Sequence, residues 1–231
     1  MLHIIEEIEK IDGIERIRIG SIEPAFFTEE GIEKIRGFKK LCPHFHLSLQ
    51  SGCNETLKRM NRHYKAEDFK EKALLLRKYF DRPALTTDVI VGFPGETEEQ
   101  YHNLLDFLEE MKLDCVGAFP YSREEGTAAD RMDGHLEEDE KEKRAENLME
   151  LQYDTMYRKH ETAIGQRRLV KVDELSPDIP GLLLCRSEGE APDVDPWILV
   201  FEAEDHNYQP GDYFTVEITG LDEYDFVGEI V

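Results

Sequence analysis

No two of the four cysteines in this 231-residue chain are neighbours: Cys42, Cys53, Cys115 and Cys185 stand 11, 62 and 70 positions apart. With no C-x-x-C pair, neither a disulfide framework nor a zinc ribbon is encoded. A reduced, cytoplasmic protein is expected. Long hydrophobic runs are lacking too: nothing approaches the roughly 18 apolar residues of a membrane span, and no membrane association is expected. The opening Met1-Leu-His-Ile-Ile-Glu-Glu has neither the basic nor the apolar region of a signal peptide. It reads as the tail of an amphipathic helix, as if the chain began inside a domain. Basic side chains are the third scarcity. Lys and Arg number 28 against 51 Asp and Glu, a net charge of −23. About half of that excess falls in residues 163–231, where 4 basic groups face 16 acidic ones. Such a surface repels a polyanion such as RNA and attracts a basic partner, although simple solubility accounts for it equally well.

What is present is a rhythm of strands and helices over residues 1–120. Strands are predicted at Arg16–Gly20, His44–Leu49, Leu85–Val91 and Cys115–Phe119. Between them, Thr28-Glu-Glu opens a helix to about Phe38, a helical stretch follows Asn54, and Ala66–Tyr79 forms a longer helix. Thr97-Glu-Glu-Gln100 is a capping box that starts a helix to about Met111. Alternation of this kind implies a parallel sheet with crossover helices. Four strands make an open sheet, or most of a barrel whose beginning is missing. A long amphipathic helix from Leu136 to about Ile164 ends at Gly165. Short β runs follow at Leu169–Val172, Leu182–Cys185, Ile198–Ala203, Phe214–Thr219 and Phe226–Val231, which suggests a small five-stranded barrel of OB-like type. The expected fold is therefore α/β over residues 1–162, then a β-barrel over 163–231.

Three segments lie where a strand ends, the rim at which parallel barrels gather ligand-binding residues. In Cys42-Pro-His-Phe-His-Leu-Ser-Leu-Gln-Ser-Gly-Cys53, period two puts His44, His46, Ser48 and Gln50 on one face and Phe45, Leu47 and Leu49 on the other. A polar strand face points into a solvated lumen. Two imidazoles without a third ligand read as hydrogen-bonding groups rather than a metal site. Gln50-Ser51-Gly52 suits a ribose or an amino-acid moiety. In Thr87-Asp-Val-Ile-Val-Gly-Phe-Pro-Gly-Glu96, Ile90 can lie against a planar base and Gly92 and Gly95 allow close approach, while the same glycines also have a purely steric reading. Phe119-Pro-Tyr-Ser-Arg-Glu-Glu-Gly-Thr127 brings aromatic and polar groups to the last strand end.

Taken in order and followed by a β domain, Ser21-Ile-Glu-Pro24, Leu49-Gln-Ser-Gly52, Asp88-Val-Ile-Val-Gly-Phe-Pro-Gly-Glu-Thr97 and Tyr121-Ser-Arg-Glu-Glu-Gly-Thr127 resemble the radical-SAM methylthiotransferases. The resemblance covers residues 11–231. It implies the C-terminal part of that architecture: the last four strands of a six-stranded, TIM-like radical-SAM barrel, then a TRAM domain. It also implies S-adenosylmethionine as cofactor and two 4Fe–4S clusters in the full-length enzyme. Neither the C-x-x-x-C-x-x-C loop of one cluster nor the three-cysteine set of the other occurs here. A cluster needs converging thiolates, so this chain is expected to hold none, to carry no catalytic residue, and to be inactive alone. Carried over by resemblance, Glu23, Gln50 and Ser51 line the methionine and ribose side of the cofactor pocket. Ile90, Gly92, Phe93 and Gly95 line the adenine side, and Tyr121 and Ser122 close it. Asp88 departs from the glycine often found there in the wider superfamily.

The two halves resemble different branches of the family. Residues 16–101 are similar to the branch acting on threonylcarbamoyl-adenosine beside the tRNA anticodon. Residues 114–231 are similar to the branch that methylthiolates an aspartate of a small-subunit ribosomal protein; the text is Gly117-Ala-Phe-Pro-Tyr-Ser-Arg-Glu-Glu-Gly126, Arg186-Ser-Glu-Gly-Glu-Ala-Pro-Asp-Val-Asp195 and Glu223-Tyr-Asp-Phe-Val-Gly-Glu229. A β domain that grips tRNA needs a basic face, yet this one sets Arg167, Arg168, Lys171 and Arg186 against its 16 carboxylates. The basic ribosomal protein is the expected partner, met by Arg186, Glu188, Glu190, Asp193 and Asp195. A tRNA substrate, or a non-catalytic binding fragment, is the alternative. An uncovered edge at Arg16–Gly20 makes self-association a further expectation.

Overall fold

Four short strands, each with apolar residues at alternate positions, set the frame of the first half of the chain. The computed structural model describes residues 2–202 and 206–231. One compact unit holds the residues up to Leu41 together with Phe45–Met156, and a second holds Cys42–His44 together with Tyr157–Val231. The elements of the first part run α1 (Leu2–Glu9), β1 (Ile17–Ile22), α2 (Glu29–Arg36), β2 (Leu41–Leu47), α3 (Asn54–Arg59), α4 (Ala66–Tyr79), β3 (Ala84–Val91), α5 (Glu98–Met111), β4 (Cys115–Pro120) and α6 (Glu138–Glu161). The sheet order is β1-β2-β3-β4. Each new strand is laid beside the last by a crossover, as expected. Parallel pairing of β3 with β4 is regular from Thr86–Cys115 to Val91–Pro120, whereas β1 and β2 pair with irregularities.

Local chemistry explains the helix bounds. The Thr28 hydroxyl accepts the Gly31 amide at 3.1 Å and starts α2. Thr97 and Gln100 cap α5 reciprocally, which satisfies two of the amides that a helix start leaves open. Lys112, at φ 47, closes that helix in the left-handed conformation. The face of β2 that carries Phe45 and Leu47 continues to Leu49 and packs into one core with Ile32 and Ile35 of α2, Phe69 and Leu76 of α4 and Leu104 and Leu108 of α5. Each such side chain contributes roughly 1.5–3 kcal/mol by leaving water. The sheet's helix-covered face is thus the apolar core, and its other face carries His46 and Asp88 beside Ile90 and Phe119.

In the second part, β5 (Arg167–Leu175), β6 (Leu182–Arg186), β7 (Ile198–Phe201), β8 (Tyr213–Asp222) and β9 (Asp225–Ile230) close into a barrel of order β5-β6-β7-β9-β8. Pairing is antiparallel except between β7 and β9. Val170, Val172, Leu183, Cys185, Ile198, Val200, Val216, Ile218 and Phe226 fill its interior. Gly165 at φ 84 lies between α6 and β5, and its amide bonds the carbonyl of Ile218 at 2.7 Å. The strands differ from the sequence reading at their ends. β2 begins at Leu41 rather than His44 and stops at Leu47, because the chain turns sharply two residues later. β5 and β8 run longer than their apolar cores, since barrel pairing continues through polar residues. The expected strand Ile198–Ala203 ends at Phe201, and Ala203 lies outside the described residues.

Candidate functional site

The first two rim segments are joined through the backbone of Gln50. This residue has φ 66 at the centre of a three-residue turn in which the Ser51 amide donates to the Leu49 carbonyl at 2.8 Å. A non-glycine side chain held there is strained and persists only where its surroundings impose it. Here β3 does so. The Gln50 amide donates to the Asp88 carbonyl at 3.0 Å, and the Ile90 amide donates to Gln50 at 2.9 Å. Thr87 adds its hydroxyl, accepting the Leu49 amide at 3.1 Å, and the Tyr64 phenol donates to the Leu49 carbonyl at 3.3 Å. Ser51 is fully buried, and its oxygen accepts the Cys53 amide at 3.2 Å, so it braces the turn from inside. Glu23 is exposed and opens the single helical turn Pro24–Phe26. Burial raises the pKa of Tyr64; the nearby charge of Arg62 lowers it and that of Glu23 raises it further.

After β3 the chain makes a glycine-dependent turn. Gly92 and Gly95 have φ 72 and φ 78, which excludes most side chains on backbone grounds alone. The space beside them is also taken. A Cβ on Gly92 would meet Cγ of Lys141 at 2.3 Å, and one on Gly95 would meet Nη1 of Arg59 at 3.3 Å. Gly92 is therefore required by its neighbour Lys141 as well as by its backbone, whereas Gly95 is held to glycine by its backbone, since the end of the Arg59 side chain can give way. Glu96 folds back so that its Oε2 accepts the Gly92 amide at 2.7 Å and Nη1 of Arg144 at 2.9 Å. Its pKa is raised by burial, against the lowering effect of those two partners. Ile90 is half-buried. Phe93 packs edge-on against Tyr121, with centroids 5.2 Å apart. Tyr121 is buried, and its hydroxyl has no hydrogen-bond partner among the described residues. Ser122 is exposed and donates to Glu124 at 3.0 Å. The structure thus brings Gln50, Ser51 and Ile90 together through one backbone bridge, and Gly92, Phe93, Gly95 and Tyr121 through one packed turn.

A further group is assembled by the pairing of β2, β3 and β4. His46 has Nδ1 3.0 Å from the Thr86 hydroxyl and Nε2 3.5 Å from the Asp88 carboxylate. A Cβ on Gly117 would strike Oδ1 of Asp88 at 2.5 Å and the Phe119 ring at 3.0 Å. So Asp88 and Phe119 share the face opposite the helices, and Phe119 is more than half exposed. Period two along β3 and β4 is the signal that finds them: Asp88 precedes Ile90 by two, and Phe119 follows Gly117 by two.

In the β-barrel, Arg186 forms a two-pronged pair with Asp173. Glu190 is buried, accepting the amide and hydroxyl of Ser187 at 2.8 and 2.6 Å and Nη1 of Arg168 at 2.8 Å. Asp195 accepts the Ala191 amide at 2.7 Å. Glu188 and Asp193 are exposed. The other two cations are likewise paired, Arg167 with Glu217 at 3.4 Å and Lys171 with Asp173 at 3.4 Å.

The donor set can be tested against an iron–sulfur cluster. Cys42 lies in β2, Cys53 just ahead of α3, Cys115 at the start of β4 and Cys185 in β6. Among the described residues no three His, Cys, Asp or Glu side chains gather to hold a metal. These cysteines do not fit a cluster, which needs converging thiolates. Among the described residues, too, no helix is long and apolar enough to cross a membrane.

A parallel βα sheet with a ligand-type rim, followed by a closed five-stranded barrel, defines the class: a radical SAM domain joined to a TRAM domain. The radical SAM superfamily profile matches residues 1–108, and that of the TRAM domain matches residues 164–231. Among solved structures, coproporphyrinogen III oxidase of Escherichia coli aligns with 61% of this chain and 32% of its own, at TM-score 0.52 and 17% identity, a likeness of fold alone. Among curated proteins, the ribosomal protein uS12 methylthiotransferase of Clostridioides difficile is 36% identical over 99% of this chain and 50% of its own length. That of Heliobacterium modesticaldum is 38% identical over 100% of this chain and 49% of its own. The chain carries these two domains, is similar along its whole length to the ribosomal protein uS12 methylthiotransferases, and spans about half the length of the curated relatives it matches. These relatives align along the whole chain and not only over residues 114–231, so the tRNA branch is not favoured by residues 16–101.

Proposed function

We propose that this chain is the cofactor-rim and TRAM half of a methylthiotransferase that modifies an aspartate of the small-subunit ribosomal protein uS12, in the cytoplasm. One observation carries the choice of substrate: each of the four basic side chains in residues 163–231 is already paired with a carboxylate of the same domain. Phosphate contacts draw on Lys and Arg; Arg168 and Arg186 are held by largely buried carboxylates, which leaves Arg167, paired at the surface, as the most exposed of the four. The uncompensated carboxylates, with Glu188 and Asp193 exposed among them, suit a basic ribosomal protein. In this reading Arg186, Glu190 and Asp195 shape the loop that presents those acids.

S-adenosylmethionine is assigned to the rim, with Glu23, Gln50 and Ser51 on its methionine and ribose side and Ile90, Gly92, Phe93, Gly95, Tyr121 and Ser122 around the adenine. The strained, doubly tethered Gln50 supports that placement, since strain of this kind gathers at ligand sites. The cofactor supplies radical chemistry when a cluster reduces it. This chain's residues bind and orient it, and the cluster ligands are not drawn from its four cysteines. Catalysis therefore requires thiolates beyond these.

The substrate assignment is tested by a pull-down of purified uS12 beside a gel shift with deacylated tRNA, both at about 150 mM salt. Retention of uS12 that weakens as salt rises, without a tRNA shift, is expected. A tRNA shift without uS12 retention overturns the choice of substrate and leaves the family untouched.

A further inference from the structure

Helix α6 opens with Glu138-Asp-Glu-Lys-Glu-Lys-Arg144, a run that would ordinarily be a solvated face. Two of its cations are instead buried against the β3 turn. The stem of Lys141 lies where a Gly92 side chain would stand. Its ammonium donates to the Tyr121 carbonyl at 2.9 Å and to Glu138 at 2.6 Å, and sits 5.6 Å from the centre of the Tyr121 ring. The Lys141 side chain is 3% exposed. A cation so enclosed is costly unless it is bonded, and here it is bonded to the backbone that ends β4. One turn on, Arg144 reaches Oε2 of Glu96, the same atom that accepts the Gly92 amide. The Arg144 carbonyl in turn accepts the Tyr101 phenol at 2.8 Å. Lys141 and Arg144 thus grip both sides of one turn: the first holds Gly92 and Tyr121, and the second holds Glu96 and, through it, Gly92 again.

We propose that Lys141 is a positioning residue for the cofactor rim, holding the Gly92 turn and the Tyr121 strand end in register so that the two segments present one surface to S-adenosylmethionine. This rests on the assignment of that rim to the cofactor. The ammonium orders the rim without touching the ligand. Because Gly92 has no side chain and lies in the left-handed region, its turn has no other filling on that side, and Lys141 supplies it. Removing the charge while keeping the stem leaves the Tyr121 carbonyl without that donor, and the two segments are free to part.

The 231-residue chain, labelled for amide NMR, is titrated with S-adenosylmethionine alone. In the wild type the amides of Gly92, Phe93 and Tyr121 shift together with a single dissociation constant. Lys141→Met, which keeps the stem, weakens that constant by roughly tenfold, the factor that corresponds to about 1.4 kcal/mol. Its melting temperature stays close to that of the wild type, and Lys141→Arg, which keeps the cation, recovers most of the affinity. Unchanged affinity in Lys141→Met overturns the positioning role while the rim assignment stands. Equal loss in Met and Arg variants overturns it as well, since volume and not charge would then matter. If the Met variant fails to fold, the wild-type titration decides: shifts at Gln50 and Ile90 that leave Gly92 and Tyr121 unmoved overturn the coupling. No shift at any rim amide in the wild type removes the cofactor assignment itself, and the inference with it.

Discussion

Arg168 donates through Nη1 to the carboxylate of Glu190 at 2.8 Å and lays its guanidinium over the Phe226 ring, 4.5 Å from its centre. A cation held by a buried carboxylate and an aromatic face is a structural part of the barrel. The same Glu190 also takes the amide and hydroxyl of Ser187, so one carboxylate closes the Ser187–Glu190 turn onto β5.

Replacing Arg168 by Gln should lower stability by about 2 kcal/mol, the scale of a hydrogen bond to a charged group whose loss strands its partner. Urea unfolding measures it. Binding should respond differently: uS12 retention and the absence of a tRNA shift should both persist, because the removed charge was neutralised at home. By the same logic, Glu188→Gln with Asp193→Asn should slow association with uS12 without altering the unfolding midpoint. A tRNA shift in the wild type that disappears in the Arg168 variant contradicts this division of roles.

Gly52 tests the packing behind the Gln50 turn. An added Cβ would lie 2.8 Å from the Phe107 Cβ and 3.1 Å from the Leu104 Cα, so α5 has to move away from the strand end. Gly52→Ala should therefore cost about 1–3 kcal/mol by overpacking. Gly220→Ala, where nothing lies within 4 Å, is the control expected near neutrality. Equal midpoints for the two variants in urea would show that α5 yields freely.

Much of this was legible in the sequence, and the misses share a cause. Thr97 and Gln100 are a local signal, complete within four residues, and the capping box is present as read. The alternation of Phe45, Leu47 and Leu49 against His46 is equally local, but His44, expected on the same solvated face, is buried and lies 2.9 Å from the Asp195 carboxylate. By contrast, Lys141 and Arg144 sit in a run of charges that carries no sign of which members are buried. Only the return of α6 to the β3 turn decides that, a contact spanning some 48 residues between Glu96 and Arg144. The steric claim on Gly92 was similarly hidden, because the atom that fills its space belongs to Lys141. Asp88 and Phe119 were each readable as strand residues, yet their meeting over Gly117 depends on the β3–β4 register. Nothing in the sequence marks Glu190 and Asp195, two of the acids expected to meet the partner, as ties within their own segment, Glu190 to Ser187 and Asp195 to the Ala191 amide.

Anaerobic reconstitution of the chain with iron and sulfide should leave no stoichiometric cluster, since its thiols lie in separate elements and a cluster needs them converging. Iron analysis with the absorbance near about 400 nm, typical of such clusters, is the measurement. For the same reason dithionite should produce no cleavage of S-adenosylmethionine by this chain. Bound iron that survives gel filtration would refute the reading of the donor set.

The last prediction concerns Cys185, fully buried in the β-barrel core. Burial, with a smaller push from the Asp173 charge, raises its thiol from 9.0 to about 12. The neutral thiol is thus favoured in the native state, while the unfolded chain releases the proton at its ordinary value. The stability contributed by this difference is fully present below pH 9.0 and is lost as pH rises from there towards about 12, at most about 1.4 kcal/mol per pH unit. Tyr64, Tyr101 and Tyr121 are also raised and share the sign, so the comparison is between the wild type and Cys185→Ala. Urea midpoints taken at about pH 8 and about pH 10 should fall further in the wild type than in the variant. Because the thiolate is the nucleophile, Cys185 should also resist iodoacetamide in the native chain and react once unfolded. Labelling of native Cys185 at the rate of a free thiol, or parallel pH profiles for the two proteins, would show that the barrel interior does not hold this thiol neutral.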